Sequence, residues 1–87
     1  RTVSRFGFVT NGVAQFWFIA AAGAQKAGRD LGVEVVVQMP TGGIPDQKRI
    51  LEDLLLRGVD GIAVSPIDPV NSTPFLNDIA KHTILIT

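Results

Sequence analysis

Phe16 and Trp17 stand side by side in "TNGVAQFWFIAAAGAQKAG" (Thr10–Gly28), where a turn gives way to a helix of alanine and glycine. Core aromatics usually sit inside an element. Two large rings at the mouth of one can instead present flat apolar surface to a crevice. The residue types that carry catalysis or hold cofactors are sparse around them. A dinucleotide site needs Gly-x-Gly-x-x-Gly after the first strand, and "TNGVAQFW" does not supply it. "TGGIPDQK" (Thr41–Lys48) has two glycines and a lysine, but not the Gly-Lys-Ser/Thr ending that cradles a nucleotide phosphate. Ser65 stands in "AVSPI", outside the Gly-x-Ser-x-Gly setting of a nucleophile elbow. His82 is the single histidine, with no cysteine to share a metal, and reads as a surface or junction residue. A phospho-receiver site needs an acid after the first strand, which ends Val9-Thr10-Asn11. No cofactor, metal or catalytic residue is expected.

Bulk properties bound the partners. Eighty-seven residues, 46% hydrophobic and 18% charged, make one small globular domain. Eight basic residues balance eight acidic ones, so nothing in the net charge attracts nucleic acid or an anionic membrane. The absence of cysteine removes disulfides and thiolate metal sites but does not fix a compartment. No apolar run approaches the about 18–20 residues that span a bilayer. "RTVSR" leads straight into a strand-like segment with no leader pattern. A leader can be cleaved, so this says nothing about location.

The elements that must position Phe16 and Trp17 follow from periodicity. "RFGFV" (Arg5–Val9) reads as a first strand, closed by the turn Thr10-Asn11-Gly12. From about Ala14 to Leu31 the spacing of Phe16, Ala20, Gly23, Ala27 and Leu31 predicts a helix with those residues as its packed face. Gly32 stops it, and "VEVVVQ" (Val33–Gln38) is a second strand. After the loop "MPTGGIP", Pro45 fits a first helical position with Asp46 in the first turn. Ile50, Leu51 and Leu54 are that helix's buried stripe and Gly58 its stop. "GIAVS" (Gly61–Ser65) is a third strand. A third helix, reaching about Lys81, starts after Asp68-Pro69 or after Thr73-Pro74, each a plausible cap-plus-proline pair. "TILIT" ends the chain as a fourth strand.

This alternation predicts a three-layer αβα fold on a parallel sheet of strand order 2-1-3-4. The second and third strands are continuously apolar, as when both faces of a sheet are covered. "LGVEVV" and "RGVDGI" repeat one helix-to-strand junction. The switch point falls between the first and third strands, where ligands of open α/β sheets bind at the carboxyl ends. Phe16 and Trp17 follow the first strand on that edge, and the loop Ser65–Asn71 follows the third.

The phrases "GFVTNGVAQFW", "GAQKAGRDLGVEVVVQMP", "QKRILEDLLLRGVDGIAVSPIDP" and "ILIT" resemble the N-terminal lobe of periplasmic sugar-binding proteins, in particular the ribose-binding-like group serving ATP-binding-cassette importers. The resemblance covers nearly the whole chain, and "GVDGIAVSPIDP" (Gly58–Pro69) is its most specific part. It implies two hinged lobes closing on a small sugar or polyol, a membrane permease as partner, and a periplasmic location, or an extracellular anchored one in a Gram-positive cell. It implies that residues 1–87 form one incomplete lobe, whose remainder and second lobe lie outside this sequence. The effector core of lactose-repressor-type regulators shares the fold and is the alternative. An enzyme on a flavodoxin-like fold is a third reading, disfavoured by the missing cofactor loops.

The resemblance carries the family's aromatic pair onto Phe16 and Trp17, as rings that stack on the apolar face of a sugar. Asn11, in a loop one residue longer than the family's, and Asp68 are the candidates for hydrogen bonds to its rim. Each has a plainer reading. Phe16 fits the helix's core face, whereas Trp17 lies off it. Asn11 is also a turn residue, and Asp68 also a helix cap. Gln38 and Met39 end the second strand, at the cleft rim or simply in solvent.

Overall fold

The computed structural model describes residues 4–87; Arg1–Val3, the head of the segment examined for a leader, lie outside them. The elements are β1 (Arg5–Val9), α1 (Gln15–Leu31), β2 (Glu34–Gln38), α2 (Gly43–Leu56), β3 (Gly61–Val64), α3 (Pro69–Ala80) and β4 (Ile84–Ile86). The strands form one parallel sheet in the order β2-β1-β3-β4, as expected from the sequence. Side chains alternate across it. Val9, Ile62 and Val64 face α2 and α3, where they join Ile50, Leu51, Leu54, Leu76 and Ile79 in the buried core. Phe6, Phe8 and Ala63 face the side of α1.

The repeated junction has one physical basis. Gly32 and Gly58 both have φ of 72°, the left-handed region that lets a helix turn into a strand without a Cβ clash. Val33 N–H then donates back to the Gly28 carbonyl at 2.9 Å, and Val59 N–H to that of Leu54 at 3.4 Å.

α2 starts two residues before Pro45, which becomes its third residue; that position also lacks an intrahelical partner for an N–H. Gly42 has no side chain to cap with. Asp46 reaches back instead, its Oδ2 accepting from the N–H groups of Thr41 at 2.9 Å and Gly42 at 3.2 Å. The Arg49 guanidinium, then these amides, pull the Asp46 pKa from 3.8 down to about 2. A carboxyl lowered in the folded state adds stability that is whole above its unfolded value and is lost as pH falls through the folded one. Urea midpoints are therefore expected to fall from pH 3.8 to about 2. In Asp46→Asn the midpoint should start lower at neutral pH and fall less steeply; identical acid limbs would remove Asp46 from the capping role.

α3 resolves the choice of start. Asp68 is its N-cap, with its side chain accepting from Asn71 N–H and Pro69 opening the helix. Thr73-Pro74 lies inside, where the Thr73 hydroxyl donates to the Pro69 carbonyl at 2.8 Å.

α1 differs from expectation in its register. Phe16 is 67% exposed and Leu31 76% exposed, and Gly23 and Ala27 also face solvent. The inward stripe is Trp17, Ala20, Ala21, Ala24 and Gly28, of which only Gly28 is fully buried. A run of alanines has little contrast in size or polarity, so its packed side is chosen by the partner. A Cβ on Gly28 would lie 2.8 Å from Val35 Cγ2 and 3.1 Å from the Val33 carbonyl oxygen. That close approach to β2 sets the rotation of α1, and Trp17 therefore belongs to the sheet-facing side.

Both sheet faces carry helices, as expected, but the α1 side is covered only in part. α1 packs mainly against β2. An apolar depression lined by Phe6, Phe8, Gly61, Ala63, Ile84 and Ile86 remains open over β3 and β4.

Candidate functional site

β1 leads to β2 on one side of the sheet, and β3 leads to β4 on the other, so the topological switch point lies at the carboxyl ends of β1 and β3. Ser65 N–H donates to the Val9 carbonyl at 2.9 Å, the last rung between the two strands. Beyond it the loops are joined by side chains. Trp17 Nε1–H donates to Asn11 Oδ1 at 2.9 Å, and Asn11 Nδ2 donates to Ser65 Oγ at 3.1 Å. An indole nitrogen can only donate, so Asn11 must turn its oxygen to Trp17 and its nitrogen to Ser65. The bonds run in one direction, and the Ser65 hydroxyl proton at the end of the chain is the group left to donate onward. Bonds aligned in this way polarise one another.

The aromatic part is a three-ring cluster. Trp17 lies edge-on to Phe16, with centroids 4.9 Å apart at 74°, and to Phe8, at 6.2 Å and 65°. Such edge-to-face pairs hold rings in place beyond what area burial supplies. Trp17 is half-buried and Phe16 exposed, so Phe16 is not the core residue that its spacing suggested. Thr10, wholly buried, closes the loop's own turn by donating its hydroxyl to the Gly12 carbonyl at 2.6 Å.

Asn11, Phe16 and Trp17 are thus brought together. Asp68 is held elsewhere in its loop: its Oδ1 accepts from Asn71 N–H at 3.1 Å and its Oδ2 from Asn71 Nδ2 at 2.7 Å. The backbone bond to Asn71, then the side-chain bond, lower the Asp68 pKa and keep it ionised. The cap bond uses Oδ1, and Oδ2 is held by the Asn71 side chain. Gln38 ties the rim through its backbone, its carbonyl accepting from Thr10 N–H at 3.1 Å.

Two further residues matter at this end. Ser65, which the sequence places at the head of the loop after β3, is the residue that joins the two loops. Gln47, 4% exposed, donates to the carbonyls of Thr10 at 2.9 Å and Ser65 at 2.8 Å. Its place one turn before the Ile50–Leu51–Leu54 stripe was the available signal: a polar residue in register with an apolar face must be bonded inside. Among the described residues no three His, Asp or Glu side chains gather as a metal site would need, and no helix is long and apolar enough to cross a membrane.

A parallel α/β sheet with its polar and aromatic groups converging at the switch point is the framework of many ligand-binding domains. Residues 6–87 match the periplasmic binding protein domain, and the chain belongs to that family. Solved structures agree in fold. An ABC transporter solute binding protein from Burkholderia graminis, in complex with D-arabinose, superposes with a TM-score of 0.87 at 26% identity, covering 97% of this chain and 30% of that one. A carbohydrate transporter solute binding protein from Agrobacterium radiobacter, also with D-arabinose, gives 0.83 at 26% identity and the same coverages of 97% and 30%. An ABC transporter solute binding protein from Mycobacterium smegmatis with bound glycerol gives 0.85 at 24% identity, covering 95% of this chain and 30% of that one. This chain thus spans 30% of the length of each. No curated protein sequence is similar enough to stand as a relative.

Proposed function

We propose that residues 1–87 form part of the N-terminal lobe of a sugar-binding protein and supply one wall of its ligand cleft. The observation that carries this is the directed chain Trp17–Asn11–Ser65 beside the exposed ring of Phe16, at the switch point of the sheet. A sugar or polyol has apolar C–H patches and a rim of hydroxyls. Flat rings suit the first, and oriented amide and hydroxyl groups suit the second. The absence of a charge cluster among these groups fits a neutral ligand. Family membership supports a non-catalytic, periplasmic or extracellular binding role. The solute-binding proteins among the solved neighbours favour delivery to a transporter permease over the effector core of a repressor.

Calorimetric titration of the full natural chain with D-arabinose, D-allose and glycerol tests the reading. Saturable one-to-one binding of at least one of them at micromolar concentration is expected. Binding of none of these, nor of other pentoses and hexoses, would sink it. Residues 1–87 alone should bind weakly, because a single wall leaves the opposite face of the ligand in water.

A further inference from the structure

Gln47 is buried in the α2 stripe among apolar neighbours, with 4% of its surface left exposed. Burying a carboxamide is costly unless it is bonded. Gln47 meets that cost with three bonds: it donates to the carbonyls of Thr10 and Ser65 and accepts from Ile67 N–H at 3.0 Å. These partners belong to different segments. Thr10 follows β1, Ser65 follows β3, and Ile67 immediately precedes the cap of α3. Sheet pairing ends at the Ser65–Val9 rung, so past that point the separation of the two loops is no longer set by the strands.

One side chain therefore bolts together the loops whose next residues form the site. Asn11 adjoins Thr10, and its bond to the Ser65 hydroxyl closes only when the two loops keep their spacing. We propose that Gln47 is a positioning residue: by holding the Thr10 and Ser65 carbonyls and the Ile67 amide on a single carboxamide, it closes the Trp17–Asn11–Ser65 chain and so sets ligand affinity without touching the ligand. The affinity part rests on the reading of this end of the sheet as a sugar site; the closure of the chain does not.

The test uses the full natural chain as wild type, Gln47→Met and Gln47→Glu. Methionine keeps the length and loses every bond; glutamate keeps the shape and the acceptor for Ile67 but loses both donors. Leu54→Ala serves as a control that loses stability without touching these loops. Two readouts are taken. One is calorimetric affinity for D-arabinose, D-allose and glycerol. The other is the NMR resonance of the Trp17 indole N–H, assigned by its loss in Trp17→Phe.

In both Gln47 variants the indole N–H should exchange with solvent about tenfold faster or more, and affinity for the best-bound probe should fall by about tenfold. The Leu54→Ala control, studied where it is still folded, should move neither. Unchanged indole exchange in the Gln47 variants would overturn the proposal, and so would unchanged affinity. A loss that Leu54→Ala reproduces in full would also overturn it, since the effect would then be general destabilisation. If wild type binds none of the probes, the sugar reading fails, and the indole resonance still decides whether Gln47 closes the chain.

Discussion

Leu54→Ala is expected to lower the unfolding free energy by about 2–5 kcal/mol in urea melts. Leu54 is 1% exposed, at the centre of the cluster that α2 and α3 build against β1 and β3. Its surroundings are set by neighbours that cannot easily collapse inward. Gly7 lies beneath it in β1, and a Cβ there would stand 2.6 Å from Leu54 Cδ1. The leucine thus occupies the space that a side chain on the strand would need. Removing it leaves a cavity over a glycine, so lost packing adds to the lost transfer free energy. Gly7→Ala alone should also destabilise, by overpacking. Combined with Leu54→Ala, the new methyl enters the vacated space, and the double variant should be more stable than the sum of the two single losses implies. A Leu54→Ala change below about 0.5 kcal/mol, within the range of ordinary surface substitutions, would mean that α2 is packed in another register.

Trp17→Ala should weaken sugar binding by the full chain by about tenfold or more. Covering roughly 50 Å² of a sugar face is worth on the order of 1 kcal/mol, and each 1.4 kcal/mol is about a factor of ten in affinity. The substitution also removes the donor that orients Asn11, so a rim group loses its preorganisation. Stability should fall as well, because Trp17 is half-buried and packs on Phe8 and Phe16. Trp17→Phe separates the contributions: a ring remains but the N–H does not, and an intermediate affinity is expected. Titration with D-arabinose, D-allose and glycerol reads both variants. Wild-type affinity in Trp17→Ala, for whichever probe the wild type binds best, would take this residue out of the site.

The element order and strand order were legible because their determinants are local. β-branched runs, the left-handed stops at Gly32 and Gly58, and the apolar stripe at Ile50, Leu51 and Leu54 each act within a few residues. Right-handed crossovers then leave few topologies. The rotation of α1 was not legible, because the small residues between Ala20 and Gly28 make several faces alike until Gly28 meets Val35 across space. Asn11, Phe16 and Trp17 could be placed near the crevice from their position after β1, but their bonds to one another are tertiary. Ser65 and Gln47 are joined only through contacts spanning 18 residues, a relation that no local window contains. Asp68 is the reverse case, since its cap of α3 is visible in the Asp-Pro pair itself.

The uneven covering of the sheet bears on how this chain moves. α2 buries four of its residues, Gln47, Ile50, Leu51 and Leu54, whereas α1 buries Gly28 alone. Local opening follows buried area, so the two helices are expected to open in different cooperative units. α2 can be released only with the core, whereas α1 can detach from β2 in smaller excursions that leave the rest of the sheet intact. Trp17 rides at the head of that looser helix, tied to the better-anchored part by its bond to Asn11 and its edge contact with Phe8. On the proposed reading of this end of the sheet as a ligand site, its occupancy and the docking of α1 are linked equilibria. A ligand that presses on Trp17 draws part of its free energy of binding away to immobilise the helix, and a helix already seated makes the next ligand bind more tightly.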